Sequence, residues 1–137
     1  YNKEIVSIEY IPYQIRPVSS LRLVKDNTIE YSWKTTNRET INRLFASRQK
    51  YDDILIVKND LITDTSICNV AFSDGNRWKT PEKPLLKGTQ REYLLRRGTI
   101  QEARISTDDI SKYKHISLFN AMIGFGEIIL PITSINI

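Results

Sequence analysis

The sequence predicts an α/β fold, a mixed sheet with flanking helices. Three observations predict it. Strand-like alternation and short apolar runs recur along the chain, two stretches with helical apolar spacing interrupt them, and turn residues separate the pieces. With 40% hydrophobic and 26% charged residues, the 137 residues suit one globular domain, or most of one plus a piece of another.

Residues 4–15 and 20–31 read as strands, broken by Pro12, Pro17 and the Asp26-Asn27 turn. The chain opens at Tyr1 and enters the Ile5 to Tyr10 alternation almost at once, so an N-terminal portion is expected to precede it. At Thr36 the period changes. Thr36 and Glu39 have capping-box spacing, and Ile41, Leu44 and Phe45 form one face of a helix expected to run to about Lys50. Asp53 to Val57 is a near-continuous apolar strand, buried on both faces, and Lys58-Asn59-Asp60 turns it into Leu61-Ile62-Thr63.

Asn69 to Phe72 and Arg77 to Thr80 flank Ser73-Asp74-Gly75-Asn76, a hairpin signal because Asp-Gly supplies positive φ angles. Pro81 and Pro84 end it. Gly88-Thr89 opens a second helix, with a capping box from Thr89 to Glu92 and a stop at Gly98. Ser106 to Lys112 forms a short helix, and strands return at Ile116 to Leu118 and at Glu127 to Ile135.

Composition narrows the function. A net charge of +4 with interspersed acids and bases attracts anions mildly, but no arginine-rich stripe is present, so no nucleic-acid partner is expected. No apolar run approaches the roughly 20 residues of a membrane span, and no secretory or transit segment is visible. The single cysteine, Cys68, excludes an internal disulfide and fits a reducing, cytoplasmic setting. No metal is expected.

Two places could carry chemistry. At Gly88-Thr89-Gln90 a glycine lets a ligand approach the backbone, and free N–H groups with the helix dipole favour an anion such as phosphate. A capped helix that binds nothing explains the same residues. Lys34, between Trp33 and Thr35-Thr36 at a helix start, could act as nucleophile and base if desolvated, although most lysines are simply solvated. His115 has no visible partner, Trp33 and Trp78 read as packing residues, Arg96-Arg97 reads as a solvated helix end, and the partner of Arg38 stays open.

The order of segments resembles the class IV family of pyridoxal-phosphate enzymes, which includes branched-chain and D-amino-acid aminotransferases and 4-amino-4-deoxychorismate lyase. The resemblance rests on Lys34-Thr35-Thr36-Asn37-Arg38, then Asp53 to Val57, then Thr63-Asp64-Thr65-Ser66-Ile67-Cys68-Asn69-Val70. Trp78-Lys79-Thr80-Pro81, Leu85 to Arg91 and Phe119-Asn120-Ala121 continue it, over roughly residues 20–135. It implies the C-terminal domain of the D-amino-acid aminotransferase-like fold for residues 20–137, with residues 1–19 as a remnant of the N-terminal domain and linker.

The resemblance also implies site roles. Lys34 would hold pyridoxal 5'-phosphate as an internal aldimine and move protons. Asp64 stands where the family usually has glutamate, against the pyridine nitrogen, and is one methylene shorter. Gly88-Thr89-Gln90 matches a Gly-Ile-Thr phosphate cup, and Asn120-Ala121 a second phosphate-side loop in which Ala121 can offer only its N–H. Ser66, Ile67 and Cys68 would lie near the ring, Cys68 as a small packing residue.

By resemblance, then, the chain is an aminotransferase or 4-amino-4-deoxychorismate lyase-like enzyme, slightly nearer the lyase, with an amino-acid-like small-molecule substrate and a homodimeric state. A non-catalytic relative that keeps the fold as a binding or interaction module is the alternative, motivated by the Asp64, Gln90 and Ala121 departures. An unrelated anion-binding domain is a third reading.

Overall fold

The structure, a computed structural model, describes residues 18–29 and 38–136. The strand expected at residues 4–15, and Trp33, Lys34 and Thr36, lie outside the described residues. Nine strands and two α-helices are found among them.

Two mixed sheets lie against each other, rather than one. The first has four strands in the order β3 (Leu61–Ile62), β2 (Asp53–Lys58), β1 (Leu21–Lys25), β9 (Ile135–Asn136). The second has five, in the order β6 (Ile100–Ala103), β5 (Trp78–Pro81), β4 (Asn69–Ser73), β7 (His115–Phe119), β8 (Ile128–Pro131). Each sheet contains a parallel pair joined through a helix. β1 and β2 are parallel around α1 (Arg38–Ala46), and β5 and β6 are parallel around α2 (Thr89–Arg97).

Side-chain alternation explains the layering. On β2, Leu55 and Val57 join Val70 and Phe72 of β4 and Ile116 and Leu118 of β7 in the main core between the sheets. Ile54 and Ile56, on the other face of β2, pack with Ile41 and Leu44 of α1. Ala71 of β4 packs with Leu94 of α2, Ile100 and Phe119. Strand β2 is therefore covered on both faces, as its unbroken apolar run predicts. Burying each such aliphatic side chain contributes about 1.5–3 kcal/mol.

Turn chemistry sets several ends. Asn59 (φ 54°) and Asp60 (φ 67°) make a two-residue hairpin loop between β2 and β3. In the β4–β5 hairpin, the Asp74 carboxylate accepts the N–H groups of Asn76 (2.9 Å) and Arg77 (3.0 Å), and Gly75 takes φ 104°. Strand β1 stops at Lys25, where Asp26 accepts the Thr28 N–H at 2.9 Å.

Some expectations need correction. Helix α1 ends at Ala46 rather than near Lys50, with Gln49 at φ 59°. Strand β6 was not anticipated, and the stretch 127–135 is two strands split by a 3-10 turn at Ile132–Ser134. The expected helix at Ser106 to Lys112 is a 3-10 helix, Thr107–Lys112, closed by a capping box between Ser106 and Asp109. No capping box forms at Thr89. The N-cap of α2 is Gly88, which has no side chain to cap with, so Glu92 stands one position too far along and lies near Arg96 instead.

Candidate functional site

Three loops and two helices meet around a cavity of about 460 Å³. The β3–β4 turn contributes Asp64, Thr65, Ser66, Ile67, Cys68 and Asn69. The approach to α2 contributes Leu85 to Gly88 and then Thr89, the loop after β7 contributes Asn120, Ala121 and Met122, and α1 contributes Ile41. The loops meet because β4 and β7 are antiparallel neighbours, with Asn69 opposite Phe119 at the same end of the sheet.

The β3–β4 turn is tied by its own polar groups. Thr65 N–H donates to the Cys68 carbonyl at 3.0 Å, and Cys68 N–H donates to the Thr65 hydroxyl at 3.0 Å. This pushes Ser66 and Ile67 to the tip. The Ser66 hydroxyl donates to Asp53 Oδ2 at 3.2 Å, and Ile67 is half-exposed. Leu86 and Met122 are also exposed apolar side chains on the cavity wall.

Asp64 is buried beside this turn. Its Oδ2 accepts the Leu86 N–H at 3.0 Å and its Oδ1 accepts Asn69 Nδ2 at 3.3 Å. Burial pushes its carboxyl up from 3.8 to about 7, against the pull of the Leu86 and Asn69 hydrogen bonds and of the Arg91 charge. A cationic partner in the cavity would favour its charged form.

Helix α2 begins at the cavity wall. No side chain caps its N-terminus, and Gly88 and Thr89 both line the space. Backbone N–H groups of its first turn and the positive end of its dipole are therefore arranged for an anion.

Of the nine residues singled out from the sequence, seven line the cavity, one lies outside the described residues and one supports a lining loop. Asp64, Ser66, Ile67, Gly88, Thr89, Asn120 and Ala121 all line the cavity. Lys34 lies outside the described residues. Gln90, the ninth, is not among the lining residues. Its Nε2 donates to the Asn120 carbonyl and to the Ile123 carbonyl (3.1 Å), while its Oε1 accepts the Phe125 N–H at 2.7 Å. That side chain holds the 120–125 loop against α2. Asn120 extends the tie, accepting the Met122 and Ile123 N–H groups at 2.8 Å and donating to the Ile67 carbonyl at 3.2 Å.

Two further residues matter and were not singled out. Asn69 joins Asp64 to the Leu86–Gly88 segment. Arg91 is fully buried, donates to the Pro81 carbonyl (3.0 Å) and to Glu102 (2.8 Å), and supplies positive potential to Asp64. A signal existed for each: an asparagine opening a buried strand, and an arginine three residues before the buried Leu94, on the same helix face. His115 opens β7, at the opposite end from Asn120, and Trp78 packs edge-on against Phe125 at 5.3 Å.

A family model described as amino-transferase class IV matches residues 4–135. The chain belongs to the class IV aminotransferase family. It is 46% identical over 124 residues to an uncharacterized protein of Haemophilus influenzae, covering 90% of this chain and 66% of that protein. It is 29% identical over 133 residues to a provisionally named aminodeoxychorismate lyase of Schizosaccharomyces pombe, covering 85% of this chain and 58% of the relative. A crystal structure from Haemophilus somnus 129pt, provisionally named a 4-amino-4-deoxychorismate lyase, superposes with a TM-score of 0.76 at 38% identity. That match covers 82% of this chain and 58% of the other. The chain therefore spans about two thirds or less of the length of these relatives.

Class IV membership implies pyridoxal phosphate, and the donor set fits that group. An uncapped helix start suits a phosphate, and a buried carboxyl poised near neutrality suits a protonated ring nitrogen. Both line one cavity whose volume falls within the range of small-molecule pockets.

Proposed function

We propose that this chain forms the pyridoxal-phosphate-binding part of a class IV enzyme acting on an amino-acid-like substrate, as an aminotransferase or a 4-amino-4-deoxychorismate lyase. One observation carries the reading: the buried Asp64 carboxyl and the uncapped start of α2 line the same cavity. When bound, the cofactor supplies an electron sink for negative charge developing at the substrate's α-carbon.

The chain's own residues would do the rest. Lys34 would hold the cofactor and carry a proton to and from the reacting carbon. Asp64 would accept a hydrogen bond from the ring nitrogen and keep that nitrogen protonated. Backbone N–H groups at Thr89 and Gln90 would take the phosphate, with Ala121 N–H and Asn120 on its second side. Ser66 and Ile67 would flank the ring, and Ile41 and Leu85 would exclude water. Residues 20–137 would form the cofactor-binding domain, with residues 1–19 the end of the preceding domain and its linker. A homodimer in a reducing, cytoplasmic setting belongs to the same proposal.

A second reading, a non-catalytic relative that binds without turnover, is favoured by one fact. Both oxygens of Asp64 already accept hydrogen bonds from the protein. Supplying the protein with pyridoxal phosphate and then with aminodeoxychorismate, or with an amino donor and keto acid, separates the readings. Pyruvate release supports the lyase, keto-acid-dependent amino transfer supports the aminotransferase, and binding without either supports the second reading.

A further inference from the structure

Asn69 is buried at the start of β4 and spends its whole amide on one task. Its Nδ2 donates to Asp64 Oδ1 (3.3 Å) and to the Leu86 carbonyl (2.7 Å), and its Oδ1 accepts the Gly88 N–H at 3.3 Å. Asp64 Oδ2 closes the ring by accepting the Leu86 N–H at 3.0 Å. One side chain thus connects the buried carboxyl to the residue that opens α2.

Gly88 records how close this approach is. Its φ of −69° is open to any residue, so its backbone does not demand glycine. A Cβ built there would lie 2.6 Å from Asn69 Oδ1. The asparagine, not the turn, excludes a side chain. An amide suits the position because two of its contacts need a donor and the third needs an acceptor.

We propose that Asn69 is a positioning residue that sets the spacing between the Asp64 carboxyl and the start of α2, and so holds both ends of a bound cofactor in register. The inference rests on the cofactor reading above. It adds that the ring-nitrogen end and the phosphate end are coupled through one amide.

The test uses the whole chain and four proteins: native, Asn69→Ala, Gly88→Ala and the double variant. Pyridoxal phosphate is titrated into each, and urea midpoints are measured without ligand. Asn69→Ala should weaken pyridoxal phosphate binding about tenfold, the scale expected for losing buried hydrogen bonds. Gly88→Ala should weaken binding and stability in the native background. It should cost little more once Asn69 is alanine, because the atom it strikes has gone. Equal losses from Gly88→Ala in both backgrounds, or Asn69→Ala that lowers the midpoint and leaves binding unchanged, overturn the inference.

Asn69→Asp keeps the size of the side chain should alanine prevent folding. It retains an acceptor for Gly88 and places a second carboxyl beside Asp64, with Arg91 as the cation acting on Asp64 and Lys87 on the same cavity wall. The two carboxyls would share a proton and the new one offers the Leu86 carbonyl no dependable donor, so binding should be weaker than in the native protein and more dependent on pH between about pH 6 and about pH 8. A native-like profile counts against the proposal. A native chain that takes up no pyridoxal phosphate overturns the cofactor reading and this inference together, whereas native uptake with unaltered Asn69→Ala binding overturns the inference alone.

Discussion

Asp64 accepts the backbone N–H of Leu86 at 3.0 Å across 22 residues of sequence. That bond places a carboxyl that burial holds near neutrality directly against the segment leading into α2. Two consequences follow for the behaviour of the protein with pH.

The folded pKa of Asp64 is raised, so the folded state binds more protons than the unfolded state between 3.8 and about 7. Stability should therefore be unaffected by this group below about pH 4, fall as pH rises through the interval, and level off above about pH 7. The expected size is about 4 kcal/mol. Urea unfolding at a series of pH values measures it, with Asp64→Asn as the control that removes this part of the slope. Saturating pyridoxal phosphate should flatten the slope in the native protein, because a cationic ring nitrogen lowers the pKa of the carboxyl.

Gln90→Ala removes three hydrogen bonds that tie α2 to the 120–125 loop. A loss of about 1–3 kcal/mol in stability is expected. Pyridoxal phosphate affinity should fall as well, because Asn120 and Ala121 line the cavity on that loop. Titration beside urea unfolding separates the two effects. Gln90→Glu keeps the acceptor for Phe125 but sets an acceptor-only carboxylate against two carbonyls, and should lose at least as much as alanine.

Gly98→Ala tests the stop of α2. Gly98 takes φ 78° and donates its N–H back to the last turn, a conformation that an L side chain adopts at a cost of about 1 kcal/mol. Thermal unfolding should show this modest loss while cofactor binding stays native, since Gly98 lies at the far end of α2 from the cavity.

Phe72→Ala tests the packing between the sheets. Phe72 is fully buried in the main core, with its ring 5.4 Å from that of Tyr113. A loss of about 3–5 kcal/mol is expected from urea unfolding.

Much of this architecture can be read from sequence where local chemistry decides it. The apolar run at Ile54 to Val57, the Asp74-Gly75 turn and the Gly98 stop each state their structure within a few residues. Strand β6 could not be found in that way. Its residues, Ile100–Ala103, alternate only weakly, and parallel pairing with β5 is what makes them a strand. The division into two sheets is likewise set by long-range pairing. At the site, seven of the residues named from the sequence line one cavity, because the β3–β4 turn, the start of α2 and the loop after β7 converge at one end of the five-stranded sheet. The work of Gln90, Asn69 and Arg91 is made of contacts between segments, which spacing along the chain does not reveal.

The most direct test of cofactor attachment is borohydride reduction of the protein after incubation with pyridoxal phosphate, followed by peptide mass mapping. A phosphopyridoxyl group is expected on the peptide containing Lys34, absent from Lys34→Ala and strongly reduced in Asp64→Ala. Labelling spread over several surface lysines, or unchanged by Lys34→Ala, would contradict it.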